Sequence, residues 1–96
     1  MTTQTLVATS TRFPIGDVVI TINAQSLLTP DEAMSGLQRH ATGDWGELCT
    51  EDAERNLAAL ESGGRIFSAY GKDTRRFWII TEADRSSTTI LLPLDY

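Results

Sequence analysis

Two apolar runs near the C-terminus constrain the fold of this chain more than any other feature. In "FWIITEADRSSTTILLP", residues 77–93, nine residues separate "FWII" from "ILL", and they contain the polar insert "EADRSS". Runs of β-branched and aromatic residues are typical of strands. A connection this short cannot hold a crossover, so the two strands must be antiparallel neighbours. The stretch therefore predicts a β-hairpin.

A third run, "RIFSAY", precedes this hairpin and is separated from it by the turn residues of "GKDTR". Strands are therefore predicted near residues 65–70, 76–82 and 88–93, as a three-stranded antiparallel meander. A further strand, near residues 17–22, follows from the β-branched run in "FPIGDVVITI".

Two helices are predicted between the first strand and the meander, near residues 30–41 and 51–62. Thr29 can cap the first helix, and Glu32 completes a capping box with it. Thr50 is the predicted cap of the second helix, which ends at "SGG".

The chain is expected to form a single α+β domain over residues 1–96. One strand and two helices precede the meander, and the helices pack on one sheet face. Residues 1–12 are expected to be a loose arm or an edge segment. The residues expected to form the core are Val18, Ile20, Leu37, Leu57, Leu60, Phe67, Ile79, Ile80, Ile90 and Leu92.

The strand "FWII" is apolar on both of its faces. Phe77 and Ile79 share one face, and Trp78 and Ile80 share the other. Because two helices shield only one face, the second face needs another cover or stays as an apolar patch. We therefore predict a homodimer through the sheet face around Trp78, with the N-terminal arm as the rival cover.

Composition argues against several classes of protein. A net charge of −5 opposes direct binding to nucleic acid. No apolar run approaches the length of a membrane span, and the N-terminus lacks the pattern of a signal peptide, so a cytoplasmic location is expected. Cys49 and His40 are the single cysteine and the single histidine, so we expect no internal disulfide, no metal and no cofactor.

Three segments, "HATGDWGELCTEDAERNLAAL", "GGRIFSAY" and "FWIITEADRSSTTILLP", resemble a group of small bacterial proteins carried on plasmids, integrative elements and phages. The resemblance covers about residues 40–96 and rests on the patterns H-x-x-G-D-W-G and W-I-I-T-E-A-D-R-S-x-T-T-I-L-L-P. Such proteins are labelled hypothetical, plasmid-related or, in some cases, type I restriction endonuclease subunit M. Methyltransferase activity is not expected, because the glycine-rich cofactor loop and the Asn-Pro-Pro-aromatic motif are missing from the sequence.

Two loops carry the candidate binding residues. The "GDWG" loop either presents its polar and aromatic side chains to a ligand or is a tight loop with its tryptophan on the core. The "ADRSS" turn either holds an anion between a cation and hydroxyls or is a solvated hairpin tip. The candidate residues are Asp44, Trp45, Asp84, Arg85, Ser86 and Ser87.

Two functions compete. The first is a non-catalytic protein-binding accessory module of a mobile element, with a host restriction or CRISPR component as partner in an anti-defence role. The second is a small metal-independent ribonuclease with a topology like that of barnase and RelE toxins. Its base, acid and charge-stabilising groups would be drawn from His40, Arg65, Glu82 and Arg85. The acidic charge favours the first function, so catalysis is not the expected activity.

Overall fold

The computed structural model describes residues 11–96. The predicted α+β class is confirmed. Most of the predicted arm over residues 1–12 lies outside the described residues. The elements are β1 (Asp17–Ile20), α1 (Ile22–Leu27), α2 (Pro30–Ala41), α3 (Thr50–Ser62), β2 (Ile66–Tyr70), β3 (Phe77–Thr81) and β4 (Ser87–Leu91), with 3-10 turns at Asp73–Arg75 and Pro93–Asp95.

The four strands form one mixed sheet in the order β1-β4-β3-β2. β2 pairs antiparallel with β3, and β3 pairs antiparallel with β4, whereas β1 pairs parallel with β4. Two details go beyond the prediction, the parallel pairing of the first strand with β4 and the short helix α1. The first strand stops at Ile20 because Thr21 caps α1, its Oγ1 accepting a hydrogen bond from the Ala24 amide at 3.1 Å.

The start of α2 is fixed by the predicted capping box. Thr29 Oγ1 accepts from the Glu32 amide at 3.1 Å, and the Glu32 carboxylate accepts from the Thr29 amide at 2.8 Å. Arg75 binds the same carboxylate and also donates to the Leu27 carbonyl at 3.1 Å. The hydrogen bond from Arg75 lowers the pKa of Glu32 to about 2. The loop between β2 and β3 is thereby tied to the start of α2.

α3 begins at Thr50, and Cys49 occupies the cap position without a side-chain hydrogen bond, so Thr50 is not the cap that was predicted. The helix ends at Gly63, whose φ of 89° needs the conformational freedom of glycine. No helix within residues 11–96 combines the length and the apolar character that crossing a membrane requires.

All three helices pack against one side of the sheet, here called the helix-facing side. α2 lies so close to β3 that a Cβ on Gly36 would stand 2.7 Å from Phe77 Cε2. One core cluster joins α1 to the strands and contains Ala24, Leu28, Tyr70, Phe77, Ile79, Ile90 and Leu92. A second cluster lies under α3 and contains Phe13, Trp45, Ala59 and Ile66.

The core prediction is right for some residues and wrong for two. Val18 and Leu57 are 46% and 53% exposed. Val18 lies on the edge strand, and Leu57 points away from the sheet because α3 turns Asn56 and Ala59 inward instead. The predicted residues that are buried are Ile79, Ile80, Ile90 and Leu92, and those that are half-buried are Ile20, Leu37, Leu60 and Phe67.

The outer edge of β2 is closed by the chain itself. Asn56 Nδ2 donates to the Phe67 carbonyl at 2.6 Å, and the Phe67 amide donates to Asn56 Oδ1 at 3.0 Å. Beyond it, the Ala69 amide donates to the Trp45 carbonyl at 3.1 Å, and the Glu47 amide donates to the Ala69 carbonyl at 2.7 Å. These bonds satisfy backbone groups that an edge strand would otherwise expose.

A matched pair of truncations checks this core. Ile90→Ala should lower the free energy of unfolding by roughly 2–5 kcal/mol, because Ile90 is enclosed in the first cluster. Leu57→Ala should change it by less than about 0.5 kcal/mol, because the side chain is half in solvent. Urea unfolding followed by circular dichroism measures both values. Equal losses in the two variants would contradict the packing described here.

Candidate functional site

His40, in the last turn of α2, lies inside the protein against the sheet. Its Nδ1 is 2.6 Å from Ser68 Oγ on β2, and its Nε2 is 2.8 Å from Thr81 Oγ1 on β3. Thr81 Oγ1 is 2.6 Å from Thr88 Oγ1 on β4, and Thr88 donates to the Ile15 carbonyl at 2.7 Å. The four side chains of this hydroxyl chain have no exposed surface.

The last bond of the hydroxyl chain sets the direction of all the others. Because Thr88 uses its one proton on the Ile15 carbonyl, Thr81 must donate to Thr88. Thr81 then accepts from His40 Nε2–H, and His40 Nδ1 accepts from Ser68. The network therefore holds a neutral imidazole with its proton on Nε2.

The burial of His40 also favours the neutral form of its imidazole. Desolvation lowers the pKa of His40 to about 4, because the imidazolium would lose its hydration. His40 thus lies at the end of α2 as a neutral buried group, not as the solvated cation that would favour the helix dipole. His40 is placed to bridge elements of the fold, and a substrate does not reach it in this structure.

Arg85 also points inward. It adopts a φ of 62°, rare for a residue with a side chain, at the tip of the β3–β4 hairpin. Its Nη2 donates to the Ala59 carbonyl at 3.0 Å, and its Nη1 donates to the carbonyls of Gly64 and Glu82 at 2.6 and 3.1 Å. A further contact reaches the Ala83 carbonyl at 3.3 Å. Arg85 clamps the hairpin to the end of α3, and both of its Nη groups donate to backbone carbonyls of the chain.

In the rest of the "ADRSS" turn, side chains hydrogen-bond to the backbone of the turn itself. Asp84 Oδ1 accepts from the Ser86 amide at 3.0 Å, and hydrogen bonds with Ser86 lower the pKa of Asp84. Gly16 packs against the Ser86 carbonyl so closely that a Cβ would not fit. Ser86 is exposed, and Ser87 is half-buried in β4. The turn exposes hydroxyl groups to solvent. The Arg85 guanidinium binds backbone carbonyls instead of lying free beside them, so the turn does not form the anion site that was considered.

The "GDWG" loop is likewise held by internal contacts. Arg39 Nε donates to Asp44 Oδ2 at 2.7 Å, and the Gly46 amide donates to Asp44 Oδ1 at 3.1 Å. The Trp45 ring is 9% exposed and lies 6.2 Å, between ring centroids, from Phe13. Asp44 remains at the surface as half of an ion pair, whereas Trp45 belongs to the core.

The four residues considered for a ribonuclease are distributed over different places. His40 is enclosed and Arg85 is bound to carbonyls, as described above. Arg65 and Glu82 lie together at the surface, with Arg65 Nε 3.7 Å from Glu82 Oε1. Arg65 also donates to the Tyr96 hydroxyl at 3.3 Å. The structure brings Arg65 and Glu82 together without bringing the histidine to them.

The side of the sheet opposite the helices is called the open face, and it holds an apolar cavity of about 250 Å³. Trp78 stands at its centre, with ring centroids 5.1 Å from Phe67 and 5.8 Å from Tyr96. Ile80 lines the floor, and Arg65 provides the cation at the rim. This site, here called the aromatic cavity, can take an apolar group and attract a neighbouring anion.

Sequence reasoning missed Tyr96, which partly covers the open face. Asp95 holds the C-terminal turn, because Thr21 Oγ1 and Asn23 Nδ2 each donate to its carboxylate at 2.7 Å. A hydrogen bond from the Leu92 amide, together with these two, lowers the pKa of Asp95. The signal in the sequence was "LPLDY", a proline turn with an acidic residue that can cap it and an aromatic residue after it.

Within residues 11–96, no group of three or more His, Cys, Asp or Glu side chains is arranged to hold a metal ion. The aromatic cavity, in contrast, is lined mainly by apolar side chains. A second groove beside α2, of about 350 Å³, is more open and is lined by Asp31, Glu32, Ser35, Gly36, Arg39, Tyr70, Gly71 and Phe77. Two of its three charged groups, Glu32 and Arg39, are already ion-paired with other residues of the chain, and the third, Asp31, is exposed.

The clamp can be tested by a charge-conserving substitution. Arg85→Lys should lower the free energy of unfolding by about 2 kcal/mol, because a single ammonium cannot reach the carbonyls on both sides. Arg55→Lys is the control, since the Arg55 side chain is 81% exposed. Thermal unfolding monitored by circular dichroism compares the two variants. A parent-like melting curve for Arg85→Lys would show that the clamp contributes little.

The buried histidine predicts a dependence of stability on pH. Its folded pKa of about 4 lies below its ordinary value of 6.5, so the unfolded chain binds the extra proton between these values. Stability should therefore be complete above pH 6.5 and fall as the pH drops, by roughly 2–3 kcal/mol near pH 4.5. Urea unfolding at several pH values measures this slope. His40→Gln should be less stable at neutral pH but should lose this slope, and an unchanged slope would exclude His40 as its source.

Comparison with known proteins adds nothing to this geometry. The chain matches no family model, no curated protein and no solved structure. The function of the chain must therefore be inferred from its residues and from the positions that the fold gives them.

Proposed function

We propose that the protein is a non-catalytic protein–protein interaction module that binds its partner through the aromatic cavity. The observation that carries this proposal is that the polar and the apolar groups lie on opposite sides of the sheet. On the helix-facing side, His40 and the threonines are buried and hydrogen-bonded to one another. The open face holds Trp78, half-buried, in the wall of a cavity lined mainly by apolar side chains. Aromatic anchors of this kind dominate protein interfaces.

The size and chemistry of the cavity describe the partner. At about 250 Å³ it is smaller than the usual site for a drug-sized ligand and suits a single inserted side chain. Phe67, Trp78 and Tyr96 favour an aliphatic or aromatic anchor. Arg65 favours an acidic group of the partner next to that anchor. This group would compete with Glu82 for the Arg65 guanidinium. The proposed ligand is therefore a protein segment with an apolar anchor flanked by a carboxylate.

The proposed setting is the cytoplasm of a bacterium that carries a mobile element. The resemblance over residues 40–96 supports this setting, and a net charge of −5 makes a protein a better partner than nucleic acid. A host restriction or CRISPR component as partner would make the module an anti-defence protein. A second copy that occupies the same cavity, the homodimer predicted from Trp78, is the alternative occupant.

The ribonuclease alternative gains less from the geometry. A general base must reach the hydroxyl that it deprotonates, and His40 has no exposed surface. Arg65 and Glu82 are accessible, but they bind each other and lie on an apolar face. The arrangement of these residues therefore favours binding over catalysis.

A pair of surface substitutions tests the proposal. Trp78→Glu should reduce capture of the bound partner from a host lysate at least about tenfold, because it places a carboxylate in the apolar cavity. Leu57→Glu makes the same change of charge at an exposed position on α3 and should leave capture unchanged. Quantitative pull-downs, with circular dichroism to verify folding, provide the measurement.

Equal capture by the parent and by Trp78→Glu would remove the cavity as the binding site. Capture of no specific protein by the parent chain would remove the interaction function itself. Cleavage of RNA by the pure protein would instead favour the ribonuclease alternative.

A further inference from the structure

The two edges of the sheet are treated differently. The outer edge of β2 is closed by Asn56 and by the segment 45–47, as described above. At the other edge, the Asp17 amide donates to the Ser86 carbonyl at 3.1 Å, and the Thr21 amide donates to the Ile90 carbonyl at 3.0 Å. The backbone groups of alternate residues in a strand point in opposite directions.

Val18 and Ile20 therefore turn their amides and carbonyls away from β4. No described residue pairs with these groups. Val18 and Val19 are 46% and 50% exposed on the two faces of this strand. β1 also lacks the lysine or proline with which many proteins guard an exposed edge. Within the described residues, the edge of β1 therefore has free backbone groups for hydrogen bonds and exposed apolar side chains for packing against another strand.

We propose that a second copy of the chain adds its own β1 antiparallel to this edge, with the two-fold axis at Val19. The pairing joins the two four-stranded sheets into one continuous sheet. It is independent of the aromatic cavity and leaves that cavity free. Because the axis is perpendicular to the sheet, both open faces lie on the same side of the dimer.

The register follows from the sequence of β1. With Val19 on the axis, Val18 of each copy lies opposite Ile20 of the other, and both residues turn their backbone groups outward. Each such pair exchanges two hydrogen bonds. The two Val19 side chains meet in the closer, non-hydrogen-bonded position, which suits β-branched residues.

Charge also agrees with this register. Asp17 of each copy lies opposite Thr21 of the other, so no two carboxylates face each other across the pair. Placing Val18 on the axis would instead set Ile20 against Gly16, which has no side chain to pack. The chosen register is thus the one in which each outward residue of β1 has a matching partner.

Residues 1–10 of the same chain are the rival occupant of this edge. They join the described part near Arg12, whose amide donates to the Ala41 carbonyl at 2.7 Å. That point is at the end of α2, from which the chain continues into the segment 45–47 beside β2. The described residues therefore begin close to the opposite edge of the sheet, which favours the second copy.

Sedimentation velocity and amide hydrogen exchange of the full chain test the pairing. Over a series of increasing micromolar concentrations, the protein should pass from monomer to dimer. Over the same series, exchange of the Val18 and Ile20 amides should slow at least about tenfold, because these groups acquire partners only in the dimer. A monomer at every concentration would overturn the proposal. Protection that does not change with concentration would also overturn it, because the edge would then be covered within one chain.

Three variants locate the interface. Val19→Lys places two ammonium groups opposite each other on the axis, so dimerisation should weaken at least about tenfold while the half-exposed site lets the monomer fold. Leu57→Lys, with the same change of charge on exposed α3, should dimerise like the parent. Trp78→Glu should also dimerise like the parent. A dimer that survives Val19→Lys but is lost in Trp78→Glu would assign the interface to the open face and overturn the edge pairing.

Discussion

The rest of the structure depends on one buried imidazole. His40 joins α2 to β2 through Ser68 and to β3 through Thr81, and Thr88 carries the connection on to β4 and to the backbone of Ile15. A buried hydroxyl without a partner costs more than a hydrogen bond gains, so every member of the chain needs the next one in place. The register of three strands and the position of the helix above them are therefore mutually dependent. A slip of one residue in any of these strands would move Ser68, Thr81 or Thr88 out of the network and leave several polar groups unpaired.

Local signals in the sequence predicted the positions of the helices and strands better than the way these elements pair and pack. The capping box of Thr29 and Glu32 placed the start of α2 at the correct residue, and the apolar runs placed the antiparallel strands. The parallel pairing of β1 with β4 was not predictable, because it joins segments about 70 residues apart and leaves no periodic signal in either. Asn56 was missed for a related reason. Its role depends on β2, and the hydrophobic pattern of α3 pointed to Leu57 instead.

The candidate site was predicted in part, and the reason lies in the two faces of a strand. Thr81 and Thr88 flank "EADRSS" in the sequence, but alternation along the strands turns them into the core. Arg85 suggested an anion site, because sequence does not show that the carbonyls at the end of α3 lie within its reach. Most of the motif therefore serves folding. The proposed binding site lies on the other face of the same strands, where Trp78 was expected and Tyr96 was not.

The contrast between the two sheet edges has a consequence for assembly. A sheet with two open edges can add strands at both ends and grow without limit, which is the route to fibres. In this protein Asn56 takes a core-facing position on α3, where an apolar residue would pack more readily, and its amide blocks one end. Pairing at β1 then uses up the remaining edge of the described sheet. An isologous contact of this kind closes on itself, so growth stops at two copies. The polar residue that hydrophobic patterning failed to predict would thus limit association through the exposed valines of β1 to a closed pair.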